Sequence, residues 1–96
     1  MSPIFLTEDD VGRLLSMKEA VKTLEQAMLA RAEGKIWNNP RSRLPIPGGS
    51  YNFMAASWPE KNVAGHKSYT AGRFGASFHV MLYGCSGEGL LAVIEA

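Results

Sequence analysis

Ser77-Phe78-His79-Val80-Met81-Leu82-Tyr83 and Leu90-Leu91-Ala92-Val93-Ile94-Glu95, joined by Gly84-Cys85-Ser86-Gly87-Glu88-Gly89, decide the fold. Two runs of apolar and β-branched residues around a glycine-rich turn read as a β-hairpin. In the first run Phe78, Val80 and Leu82 point one way, and Ser77, His79, Met81 and Tyr83 the other. In the second, Leu90-Ala92-Ile94 and Leu91-Val93 are both apolar. A sheet with one wet face alternates cleanly, and this hairpin does not. Both of its faces therefore need a cover.

Upstream of the hairpin the period is also two. Arg41 to Ile46 is extended, but Pro40, Pro45 and Pro47 remove ladder donors and predict an edge strand. Pro47-Gly48-Gly49 is a turn leading into Tyr51–Ala56. Asn62–Thr70 reads as another strand, and Ala71-Gly72-Arg73-Phe74-Gly75 as a mobile connection. The first third is helical instead. Thr7 before Glu8, Asp9 and Asp10 supplies an N-cap and an acidic first turn, giving a helix to about Leu15. Ser16-Met17-Lys18-Glu19 is a capping box that restarts it. Ala20, Val21, Leu24, Ala27, Met28 and Arg31 then share one face up to Gly34, a C-terminal stop. Helices followed by antiparallel strands make an α+β chain: two N-terminal helices packed on a mostly antiparallel sheet of about five to six strands. One long helix can cover one sheet face. The other is expected to be completed or covered by a second subunit.

The chain has 96 residues, enough for a single domain spanning 1–96. With 46% apolar and 20% charged residues it is neither disordered nor collagenous. Cys85 is the only cysteine, so no disulfide forms within the chain. The N-terminus lacks a basic start followed by an apolar stretch, and the longest apolar run, Leu90 to Ile94, is too short for a membrane span. A cytoplasmic protein is expected, without membrane partners. Net charge is +1 but unevenly spread: −2 over residues 1–34, +5 over 35–73 and −2 over 74–96. A basic middle can hold anions.

Metal chemistry is poorly supplied, because His66, His79 and Cys85 lack zinc-ligand spacing. A Cys85–His79 nucleophile pair would need a fixed base beside the thiol, which a glycine-rich turn does not provide. Gly72-Arg73-Phe74-Gly75 matches the GXXG loop of KH modules, but such loops join helices and these flanks are extended. With a net charge of +1, nucleic acid is not an expected partner. No dinucleotide fingerprint occurs, so no cofactor is expected in this chain. The basic strand positions are more promising. Arg41 and Arg43 are two apart and share a face, and Lys67 shares one with Gly65 and Tyr69. A planar guanidinium beside an ammonium suits a carboxylate.

Several segments resemble the N-terminal part of the ornithine cyclodeaminase/mu-crystallin family. They are Phe5-Leu6-Thr7-Glu8-Asp9-Asp10-Val11, Ala32-Glu33-Gly34, Pro40-Arg41-Ser42-Arg43-Leu44-Pro45, Phe53-Met54-Ala55-Ala56, Gly65-His66-Lys67 and Leu90-Leu91-Ala92-Val93-Ile94-Glu95. They cover essentially the whole chain in the expected order. The resemblance implies a substrate-binding and dimerisation domain that in full-length members precedes a Rossmann domain holding NAD(H) or NADP(H). It also implies that Arg41 and Lys67 bind the substrate carboxylate, the two residues already singled out by spacing. The family's cofactor loop, its further carboxylate-binding arginine and its acidic residue acting on the substrate amine have no counterpart here. Hydride transfer needs a cofactor positioned against the substrate. The resulting expectation is a non-catalytic, stand-alone or truncated domain. It would be a homodimer or higher oligomer formed through its sheet and binding a small amino or keto acid. The alternative is a fragment of an NAD(P)-dependent ornithine cyclodeaminase or imine reductase, active only with its nucleotide-binding domain.

Overall fold

A computed structural model describes residues 3–95. The order of elements is β1 (Ile4–Leu6), α1 (Glu8–Leu14), α2 (Met17–Ala32), β2 (Trp37–Ile46), β3 (Gly49–Trp58), a 3-10 turn (Pro59–Lys61), β4 (Val63–Gly72), β5 (Gly75–Gly84) and β6 (Gly89–Glu95). The six strands form one sheet in the order β1-β6-β5-β4-β3-β2, antiparallel except where β1 runs parallel to β6. This is the α+β architecture that the patterning predicts.

Local chemistry accounts for the helix boundaries. Thr7 Oγ1 accepts the Asp10 amide at 3.2 Å, while the Thr7 amide donates to Asp10 Oδ2 at 2.9 Å, closing a capping box. Leu15 is extended, which breaks the helix. Ser16 and Glu19 make the second box, with the Glu19 amide donating to Ser16 Oγ at 3.1 Å. At the far end Gly34 adopts φ +77°. The Lys35 amide donates to the Ala30 carbonyl and the Gly34 amide to the Arg31 carbonyl, a Schellman stop that needs a left-handed residue.

Hairpins join β2 through β6 in succession. Pro47-Gly48, with Gly48 at φ +80°, is the pair that a type II turn wants. The connection over residues 71–75 differs from expectation. It is a two-residue turn, with Ala71 paired to Ala76 and Gly72 to Gly75, because Gly75 can take φ +98°. The GXXG stretch is thus the tip of a β-hairpin and not a loop between helices. β1 was not anticipated either. Three residues are too few to show alternation, and β1 is held by β6, more than eighty positions away.

The strand register defines two faces. On one lie Arg43, Asn52, Met54, Lys67, Tyr69, Phe78, Val80, Ala92 and Ile94. The other holds Trp37, Leu44, Tyr51, Phe53, His66, Met81, Tyr83 and Val93, with Phe5 paired beside Val93. We call them the Lys67 face and the His66 face. A register shift opposite Tyr83 leaves Leu91 bulged and turns Leu90 onto the His66 face, so Leu90 does not share a side with Ala92 and Ile94.

Burial is sparse. Among the described residues only Ala30, Asn52 and Ala92 fall in the buried class. The expected apolar stripe of α2 is split. Its alanines turn inward, with Ala30 buried and Ala20 and Ala27 half-buried, whereas Val21, Leu24 and Met28 are exposed. α1 lies against β6 and β1, and α2 makes no comparably close backbone approach to any strand. The radius of gyration is 14.7 Å, against about 12.5 Å for a compact chain of this length. The accessible surface is 7054 Å², against about 5,400 Å² for a folded monomer of this mass.

Candidate functional site

Arg41 lies on β2 and Lys67 on β4, with Met54 of β3 between them. Two strand spacings separate the outer backbones by about 10 Å. A bulge between Asn39 and Ser42 gives β2 one extra residue at this point. Ser42 pairs with Phe53 on the His66 face, so its neighbour Arg41 falls on the Lys67 face. Arg41 and Lys67 line one open concavity of about 510 Å³ with Asn38, Pro40, Met54 and Val80. That volume is in the range of small-molecule sites.

The surroundings of Lys67 are aromatic. Its Nζ lies 4.9 Å from the Phe78 ring centroid and 5.6 Å from that of Tyr69. The two rings pack at 4.5 Å. Such a platform holds an ammonium without neutralising it. Arg43 sits in the same cross-strand row as Tyr69 and Phe78, through Asn52. Its Nε donates to Asn52 Oδ1 at 3.1 Å, and Asn52 Nδ2 donates to Ser50 Oγ at 3.0 Å. Asn52 is 1% exposed, the most buried side chain described. Among the described residues neither arginine nor Lys67 pairs with a carboxylate. Glu60 pairs with Lys35 at 3.4 Å, and Glu95 accepts the Glu8 amide at 3.1 Å.

Sequence reasoning selected Arg41 and Lys67, and the structure brings them to one concavity. It missed the Tyr69–Phe78 platform and the Arg43–Asn52 pair. The available clue was Asn52 itself, a polar residue among Tyr51, Phe53 and Met54. The other candidates stay apart. His79 lies midway along β5 and Cys85 just past its end, which strand rise separates by roughly 17 Å or more. No group of three metal-ligating side chains forms among the described residues. Cys85 is exposed in a loop organised by Asn62, whose Oδ1 accepts the Cys85 amide and the Ser86 hydroxyl. Asn62 Nδ2 donates to Glu88 at 2.7 Å, and this bond is the main reason that the Glu88 carboxyl titrates below its ordinary range.

The His66 face is different in kind. Trp37, Leu44, Tyr51, Phe53, Tyr83 and Phe5 are all exposed on it, Trp37 by 68%. Tyr51 and Phe53 pack against each other along β3 instead of folding over the sheet. No helix among the described residues is long and apolar enough to cross a membrane.

No family model and no curated protein matches the sequence. Solved structures do. A probable ornithine cyclodeaminase from Bordetella pertussis Tohama I superposes with a TM-score of 0.92 at 22% identity, over 99% of this chain and 30% of that one. The fold is that of the ornithine cyclodeaminase-like proteins. An archaeal alanine dehydrogenase dimer with bound NAD matches at a TM-score of 0.91 and 26% identity, over 100% of this chain and 32% of the other. A Thermococcus litoralis Δ1-pyrroline-2-carboxylate reductase, in complex with NADH and L-proline, matches at 0.88 and 20%, over 96% and 31%. The chain spans about a third of the length of these ornithine cyclodeaminase-like structures.

Proposed function

We propose that this chain is an oligomeric module of the ornithine cyclodeaminase-like fold that binds a small carboxylate on the Lys67 face and assembles through the His66 face. The observation that carries the reading is the opposition of the two faces: Arg41 and Lys67 without ion pairs on one concavity, and exposed Phe5, Trp37, Leu44, Tyr51, Phe53 and Tyr83 on the face behind it. The excess surface of roughly 1,600 Å² is twice what one partner buries in a standard interface. Burying even 600 Å² of apolar surface contributes on the order of 15 kcal/mol before the costs of association. One matched structure is a dimer and another holds L-proline, a small carboxylate, which supports both halves of the proposal. A homodimer is its simplest form. We further propose that residues 1–96 make one domain, and that it does its work in the cytoplasm.

Light scattering at micromolar concentration tests the assembly half. The expected mass is at least twice the 10.4 kDa of one chain. A monomer under these conditions would overturn it. Titration with a small carboxylate, wild type against Arg41→Ala and Lys67→Ala, tests the binding half.

A second reading follows from the likeness to structures that hold NAD or NADH. In it the chain contributes the carboxylate site of an NAD(P)-dependent cyclodeaminase or imine reductase and acts only with a nucleotide-binding domain. Coexpression of such a domain, with recovery of reductase activity on a cyclic imine, would favour it over the stand-alone module.

A further inference from the structure

The Lys67 face carries more positive charge than one carboxylate uses. Arg41, Arg43 and Lys67 all project from it, and no carboxylate among the described residues pairs with any of them. Arg43 is also the best-anchored of the three. Its Nε is taken by Asn52, which is 1% exposed and braced by Ser50, so the guanidinium is held from behind with its two Nη groups left over. A buried side chain that orients an exposed cation is a built feature, because a buried amide left unpaired is costly. Lys67 links the two arginines. Its backbone lies across Met54 from the Arg41 end of β2, and its ammonium leans over Tyr69 and Phe78, the row that Arg43 and Asn52 begin. Along β2 the two arginines are one pleat repeat apart, roughly 7 Å. The carboxylate carbons of a four- or five-carbon dicarboxylate are a few ångströms apart, a gap that two long cationic side chains can close.

We infer that the site takes a small dicarboxylate, with one carboxylate between Arg41 and Lys67 and the other on Arg43, and that Asn52 is the positioning residue for that second contact. This rests on the carboxylate-binding reading above and narrows its substrate class. A cationic amino acid such as ornithine would bring a distal ammonium to a face that already carries a third positive charge, with no carboxylate among the described residues paired there. Like charges at this range oppose binding.

The test is calorimetric titration of the 96-residue chain with succinate, acetate and L-ornithine at low salt. Succinate is expected to bind at least tenfold more tightly than acetate, and ornithine more weakly than either. Arg43→Gln should remove the preference for succinate and leave acetate within about twofold, whereas Arg41→Ala should abolish both. Arg43→Lys keeps the charge but cannot reproduce the side-on bond to Asn52, so the preference should fall even though net charge is unchanged. Equal affinity for succinate and acetate, or loss of both in Arg43→Gln, would overturn the dicarboxylate assignment and leave the carboxylate site standing. Failure of all three ligands to bind would overturn both. Arg43 is exposed, and a thermal melt confirms that each variant is folded.

Discussion

Single residues on this sheet act through what does not neutralise them. Lys67 rests on Tyr69 and Phe78, and among the described residues neither it nor Arg41 forms an ion pair, as the proposed carboxylate site requires. Arg41→Ala is expected to lower carboxylate affinity roughly a hundredfold, the scale of a charge-assisted bond worth 2–3 kcal/mol. Lys61, which lies over Trp58 away from the concavity, serves as the control: Lys61→Ala should leave affinity unchanged. A second residue-scale outcome concerns Glu88. Its carboxyl is held below the ordinary glutamate range by hydrogen bonds from Asn62 and from the amides of Glu88 and Ser86. A depressed carboxylate stabilises the loop above its unfolded pKa, and that contribution is lost as pH falls through the lower folded value. The Ser86 amide resonance should therefore follow a titration with a midpoint below that of an ordinary glutamate. Asn62→Ala should move this midpoint upward. A midpoint unmoved by that change would show that Asn62 is not the cause.

Elements are set by their ends. α2 is closed by Ser16–Glu19 at one terminus and by the Gly34 Schellman turn at the other. Ser16→Ala should cost about 1 kcal/mol in chemical denaturation, and Gly34→Ala a similar amount because its φ is +77°. The β2–β3 hairpin is tighter. A Cβ at Gly49 would collide with the Ala71 carbonyl oxygen, a backbone atom that cannot step aside without opening the β3–β4 ladder. Gly49→Ala should be the more damaging glycine change, with loss of cooperative unfolding or of soluble protein. A melt like that of Gly34→Ala would contradict the close approach. In β2 and β6 the bulges matter most. The β6 bulge turns Leu90 off the Lys67 face, which strict alternation alone does not foresee. The β2 bulge reverses the phase of Trp37–Asn39 relative to Arg41 and Arg43, which keep the shared face that their spacing predicts.

At the scale of the whole molecule the surface dominates. The chain exposes far more area than its mass requires, most plainly on the His66 face and on the outer stripe of α2. Val93 lies on that face between Met81 and Phe5. Val93→Asp should yield monomers or insoluble protein, since it places a charge on the proposed interface. An unchanged oligomer mass would place the interface elsewhere. The fold also has no parallel strand–helix–strand unit opening on a glycine loop among the described residues, the arrangement that cradles a dinucleotide. Fluorescence titration of the chain with NADH should accordingly show no saturable binding at micromolar concentration. Saturation there would require a different cofactor site from any described above.

The sequence by itself determined the features written within a few residues of one another. Thr7–Asp10 and Ser16–Glu19 close their caps over three positions, and Gly34 and Pro47-Gly48 stop or turn the chain where they stand. The two-residue period of β3 to β6 and the failed alternation of the last hairpin were equally legible, and with them came the α+β class and the expectation of a cover. Arg41 and Lys67 stood out because spacing and family resemblance agreed. Only the tertiary structure decided what depends on register between distant segments. It paired Ile4 with Ala92, turned Ala20, Ala27 and Ala30 of α2 inward and its leucines and methionines outward, and set Asn52 behind Arg43. The physical reason is that one slipped or inserted residue reverses which face every later side chain occupies, and that choice is made by the neighbouring strand.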